Sequence, residues 1–182
     1  MTFGGACLAE TGWGTPVAPA AKPGVAAAPS KPTLKDIEAL QGAVTDAWEK
    51  MPLTQRHALL VTEKADIYGH YVARPTSEFK ANEKIVTYVE PVGYVWTANG
   101  GAYDFGVSVD FAVKTPDGKI LSGQDDFGKF AMTSSAKLQE LMLNLTLSVD
   151  GAPPGNYLLQ YKIHDLHSDK VSTFELPFSI VQ

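Results

Sequence analysis

The strongest constraint on this chain is a double alternation in its last thirty residues. Tyr157, Leu159, Tyr161 and Ile163 recur at every second position, and so do Phe174, Leu176, Phe178 and Ile180. A period of two places such side chains on one face of a β-strand. The polar run Asp165 to Lys170 separates the two sets, which predicts an antiparallel hairpin with one aromatic and aliphatic face. An isolated hairpin is marginal in water, so the remaining chain has to cover that face.

The same alternation recurs upstream. Tyr103, Phe105, Val107, Val109, Phe111 and Val113 share one face of a strand, with Asp104, Ser108, Asp110 and Lys114 on the other. Pro116-Asp117-Gly118 predicts a tight turn into a partner strand over 119–123, and 127–133 reads as another strand. Further strands are expected at 57–62, at 85–90 with Pro91 as its end, and at 141–149, where helix formers from Ala136 favour an initial helical turn. The stretch 63–84 reads mainly as loop with one edge strand, and 92–101 as a loop tipped by Asn99-Gly100-Gly101. Turn residues roughly every ten positions favour a mainly β fold, an antiparallel immunoglobulin-like β-sandwich of seven or eight strands, over an α/β plan.

Ahead of the strands, Leu34, Ile37, Leu40, Val44, Ala47, Trp48 and Met51 follow helical spacing. Thr33 is the expected N-cap, Asp36 its capping-box partner and Pro52 the stop, so one helix over 34–50 is predicted. It is expected to lie against the sandwich or to pair with another copy, with Trp48 as a packing anchor. Residues 33–182 thus read as one domain, large enough to bury roughly 70% of its extended-chain surface.

Residues 1–32 read as a tail. From Thr15 to Pro32 nearly every residue is Ala, Pro, Gly, Val, Thr, Ser or Lys, a composition expected to give a mobile, extended linker. The small residues of Gly4-Gly5-Ala6-Cys7-Leu8-Ala9 suit the end of an export signal, which makes Cys7 a candidate lipid anchor, although Gly4 stands where a bacterial lipobox usually has leucine. A periplasmic or secreted location is therefore expected, with cytoplasmic residence left open. A single cysteine precludes an intramolecular disulfide.

The segment Pro154-Gly155-Asn156-Tyr157 and the ending Phe174-Glu175-Leu176-Pro177-Phe178 resemble the closing hairpin of bacterial immunoglobulin-like or fibronectin-like extracytoplasmic domains. That resemblance covers the last thirty residues and implies a fold. It carries no reaction, because sandwich folds host unrelated functions.

Composition narrows the chemistry. The net charge is −5, and Lys22 and Lys31 against Glu10 leave residues 1–32 at +1 and the rest at −6. No basic stripe is visible, which argues against nucleic acid and anionic membranes as partners. No apolar run reaches the roughly 20 residues of a membrane-spanning helix.

No Gly-x-Ser-x-Gly elbow or phosphate loop occurs, so neither a catalytic set nor a cofactor site is indicated. Asp125-Asp126 and the pair Asp104 and Asp110 read as polar-face residues sooner than as paired carboxylates. His164 and His167 with Asp165 and Asp169 form a candidate metal set, weighed against solvated turn residues. Tyr88, Tyr94, Trp96 and Tyr103 flank or occupy the 92–101 loop and are the ligand-binding candidates for a glycan or peptide, weighed against core packing. The expected function is that of a non-enzymatic, exported sandwich domain that binds a protein partner or self-associates. Glycan or peptide binding around Trp96 is the alternative, and metal binding the lesser one.

Overall fold

The computed structural model describes residues 31–182. Cys7, the export-signal reading and nearly all of the linker lie outside those residues. The first element is helix α1, Leu34–Lys50, opened by the expected capping box. Asp36 accepts from the Thr33 backbone N–H at 2.7 Å, and the Asp36 N–H is directed back at the Thr33 hydroxyl at 3.4 Å. These bonds, the side-chain contact with Thr33 first, hold the Asp36 carboxyl below its usual range.

Nine strands follow, two more than the lower count expected. They are β1 Thr54–Val61, β2 Glu78–Lys80, β3 Ile85–Val92, β4 Thr97–Asn99, β5 Ala102–Lys114, β6 Ile120–Ser134, β7 Leu143–Leu147, β8 Gly155–Asp165 and β9 Val171–Val181. One sheet has the order β1-β3-β7. The other runs β2-β9-β8-β5, with β4 and β6 also paired to β5. All pairings between these strands are antiparallel except β2 on β9, which is parallel. Over the described residues the result is a mainly β sandwich with one helix.

Its core lies where the inward faces meet. Phe105, Val107, Val109 and Val113 of β5 and Tyr157, Leu159, Tyr161 and Ile163 of β8 oppose Ile85 and Val89 of β3 and Leu143, Leu145 and Leu147 of β7. Burying such side chains contributes roughly 1.5–3 kcal/mol each and supplies the main driving force for the fold. On β9 only Phe178 and Ile180 are fully buried, whereas Phe174 and Leu176 are half-buried near the hairpin turn.

Several boundaries differ from expectation for identifiable reasons. Strand β3 runs through Pro91, because Pro91 pairs with Gln55 beside a bulge at Arg56, where the missing N–H is tolerated. The two strands expected over 119–133 are one, β6, which bulges where Phe111 faces Gln124 and Val109 faces Gly128. Asp126 adopts φ +50° there and donates its N–H to the Asp110 carboxylate at 3.0 Å. The 92–101 loop contains the short strand β4, and Gly100 and Gly101, both at positive φ, turn it into β5. Residues 136–142 have no helical turn.

Candidate functional site

Of the four candidate rings, Tyr94 and Trp96 lie in a closed cluster with Trp48 and Phe105. Tyr88 and Tyr94 are fully buried and Trp96 is 8% exposed; only Tyr103 is half-buried. Tyr94 stacks on Phe105 with centroids 5.4 Å apart, and Trp48 of α1 stacks on Trp96 at 5.3 Å. The physical reason is hydrogen bonding as much as packing. The Tyr94 hydroxyl and the Trp96 Nε1 both donate to the Leu138 carbonyl, at 2.9 and 2.8 Å, and Trp48 Nε1 donates to the Tyr94 carbonyl at 2.9 Å. Each polar tip is thereby satisfied inside an apolar cluster. Burial raises the Tyr94 hydroxyl well above the ordinary tyrosine range.

Tyr88 belongs to a second cluster, on the opposite face of β3. It packs on Tyr71 at 4.4 Å, accepts the Gly69 N–H at 2.7 Å and donates to Glu90 Oε1 at 2.7 Å. Glu90 is 2% exposed. Arg56, the bulged residue of β1, donates to the Tyr68 hydroxyl at 2.9 Å. Burial and then the Glu90 carboxylate push the Tyr68 hydroxyl up. The network pins the 62–73 loop to the sheet through a buried carboxylate. Alternation alone does not reveal it, since Glu90 in a strand ordinarily reads as an exposed residue.

The histidine and aspartate set does not converge. His164 Nε2 lies 2.7 Å from Asp110 Oδ2, on the outer face of β5 and β8. Burial works against ionisation of Asp110, yet the Asp126 N–H and the His164 ring outweigh it and keep that carboxyl below its usual value. Asp165 is buried and acts as a turn organiser, accepting from the Val95 N–H at 2.9 Å, the His167 N–H at 3.0 Å and the Ser168 hydroxyl at 2.7 Å. Asp169 is exposed in the same turn. Among the described residues no group of three or more His, Cys, Asp or Glu side chains is placed to hold a metal ion. Asp104 accepts from Thr133 at 2.6 Å and Asn99 at 2.7 Å, which ties it into the sheet surface.

A cleft of about 590 Å³ lies between α1 and segment 136–140. Ile37, Leu40, Gln41, Val44 and Thr45 form one wall, and Ala136, Lys137, Leu138, Gln139 and Glu140 the other. Its apolar side chains are largely exposed, with Leu40 at 64%, Val44 50%, Ile37 44% and Leu138 38%, and Leu34, one turn before Ile37 on α1, is 74% exposed. Among the residues of α1 only Trp48 is buried.

The two walls are held differently. Leu138 is fixed by the two ring donors described above, and Lys137 pairs with Glu49. Among the described residues the helix is held at its C-terminal end, by Trp48, by the Glu49–Lys137 pair and by Lys170, whose Nζ donates to the Met51 and Gly93 carbonyls at 2.9 and 2.8 Å. A cation at that end also suits the helix dipole. Gly93 makes the close approach possible: its φ is +84°, and a Cβ there would lie 2.4 Å from the Pro52 carbonyl oxygen. Of the aromatic residues singled out from the sequence, Tyr94 and Trp96 thus build the base that supports the cleft.

No protein-family model matches the chain, and no curated protein matches it. Among solved structures, the C-terminal domain of Wzt aligns with a TM-score of 0.44 and 15% identity over 74% of this chain and 77% of that one. The alkylpurine DNA glycosylase AlkC of Pseudomonas fluorescens, bound to DNA containing an abasic site analogue, aligns with a TM-score of 0.38 and 13% identity. It does so over 81% of this chain and 37% of that one. Among the described residues no helix is long and apolar enough to cross a membrane.

Proposed function

We propose that this chain is a non-catalytic β-sandwich binding module that engages a protein partner through the apolar wall of α1 and the facing segment 136–140. One observation carries the reading: Leu34, Ile37, Leu40 and Val44 form a helical stripe that the described residues leave exposed, although the helix is capped and anchored. A helix of this length is marginal in water without tertiary burial of its apolar face. A stripe left open on an anchored helix suits helix-in-groove recognition, with anchors three and four residues apart. Contiguous apolar patches of this kind mark interaction sites on otherwise soluble surfaces.

A glycan- or peptide-binding role for the rings around Trp96 has less support, because Tyr88, Tyr94 and Trp96 expose almost no surface. Placement in the cell envelope rests on the sequence of Gly4 to Ala9 and the Ala/Pro-rich stretch, and fractionation of the full-length chain tests it.

The binding reading is tested by placing a photo-crosslinking residue at Gln41 in the full chain, with one at the exposed Lys119 as reference. Defined adducts at Gln41 that disappear in the Leu40→Glu/Val44→Glu background support a binding cleft. Adducts no different from those at Lys119 overturn it.

A further inference from the structure

We infer that the occupant of the α1 face is a second copy of this chain, with the two α1 helices packed antiparallel. The inference rests on the binding reading above and names its partner. It starts from the spacing within the helix. Ile37, Leu40, Val44 and Ala47 of α1, with Met51 at its C-cap, are separated by three, four, three and four residues, the heptad spacing that forms a helix–helix seam. Ile37, Leu40, Val44 and Ala47 are solvent-accessible along this seam, and Met51 is half-buried at the anchored end. Such a seam needs a matching helix to close it, and α1 is the one helix among the described residues. The Thr15 to Pro32 stretch, rich in Ala and Pro, has no comparable apolar stripe to offer.

Charge selects the direction. In an antiparallel pair centred on Gly42, Ile37 meets the partner's Ala47 and Leu40 meets the partner's Val44. In that register the seam-flanking position 36 of one helix lies beside position 50 of the other. Asp36 and Lys50 occupy these positions, so the symmetric pair brings opposite charges together twice. In a parallel pair position 36 would lie beside position 41, which is the uncharged Gln41, and no such match would form. In the antiparallel pair Gln41 and Ala43 fall next to their own symmetry mates, the first polar and the second small enough for close approach.

Area is consistent with this. Leu34, Ile37, Leu40, Val44 and Leu138 together expose on the order of 500 Å² of apolar surface, and pairing two such faces removes about 1,000 Å² from water, near the lower bound for a specific interface. The pair should therefore be reversible and concentration-dependent.

Sedimentation velocity of the full-length protein across a concentration series is the direct test. A monomer–dimer equilibrium is expected, weakened at least about tenfold by Leu40→Glu or Val44→Glu, with unchanged circular dichroism because both sites are exposed. Lys50→Glu should weaken it as well, since it puts like charges opposite Asp36. In a Cys7→Ser background, oxidation of Ala43→Cys should give a disulfide-linked dimer, and oxidation of Glu38→Cys, on the outer side of the helix, should not. A chain that stays monomeric at every concentration overturns the pairing. If the Gln41 crosslinker then still captures a different protein, and loses it with Leu40→Glu/Val44→Glu, the binding cleft stands and self-pairing falls. If it captures nothing, both fall.

Discussion

Trp48 and Tyr94 are joined by a 2.9 Å hydrogen bond from the indole Nε1 to the backbone carbonyl, and their rings meet edge to face at 5.1 Å. This contact ties α1 to the sandwich, because Trp48 is the one buried residue of the helix. Replacing it with alanine should cost about 3–5 kcal/mol in urea denaturation, the range for removal of a buried large aromatic. Trp48→Phe, which keeps much of the packing and loses the bond, should cost less, about 1–3 kcal/mol, since the Tyr94 carbonyl is left without that donor. Amide exchange should accelerate throughout α1 in the alanine variant and only slightly in β8.

Two glycines should respond in opposite directions. Gly93→Ala forces a Cβ against the Pro52 carbonyl at a positive φ, so a loss of more than about 1 kcal/mol is expected, with the helix junction displaced. Gly42→Ala adds a methyl in open space within a helix and should raise stability by up to about 1 kcal/mol. Thermal denaturation of the two variants checks both signs.

Alkaline pH should unfold the protein through its buried phenols. Burial raises the Tyr161 hydroxyl to about 12, partly offset by its 3.4 Å contact with the Thr87 hydroxyl. Because the folded value lies above the unfolded one of about 10, its contribution is full below pH ~10 and is lost as pH rises from there through ~12. Tyr88 and Tyr94 are shifted in the same direction, each chiefly by burial. Denaturant midpoints should fall across that window, and Tyr161→Phe should flatten the decline. A midpoint independent of pH up to about 12 would contradict the burial of these hydroxyls.

Removing the buried carboxylate should loosen one loop more than the whole fold. In Glu90→Ala the Tyr88 hydroxyl loses its acceptor, at an expected cost of about 1–3 kcal/mol. Limited proteolysis should then cut between Ile67 and Val72, a segment tied to the sheet through the Gly69 N–H and the Tyr88 hydroxyl. Glu90→Gln, which retains an acceptor, should protect that segment better.

Much of this architecture was legible in the sequence because it rests on local rules. Period-two alternation identified β5, β8 and β9, and the Thr33 capping box with Pro52 bounded the helix as observed. What alternation could not reveal was long-range. The merger of two expected strands into β6 depends on Asp110 taking the Asp126 N–H across the sheet, and the passage of β3 through Pro91 depends on a bulge in β1. The aromatic residues near the 92–101 loop have the composition of a recognition surface. Whether they face outward depends on the Leu138 carbonyl, more than forty positions away from Tyr94 and Trp96, to which both donate. Conversely, the α1 stripe was visible as a pattern, and only the fold showed that the described residues leave it uncovered.

If α1 is the binding wall, this stripe is open on the isolated chain and is closed by the partner. Hydroxyl-radical footprinting of dilute, monomeric protein tests it most directly. Leu34, Leu40 and Val44 should label at rates near those of free side chains while Trp48 stays protected, and the three leucine and valine sites should become protected as the partner or second copy binds. Protection of Leu40 and Val44 in the dilute monomer would mean that the chain covers its own stripe, and would contradict the binding cleft.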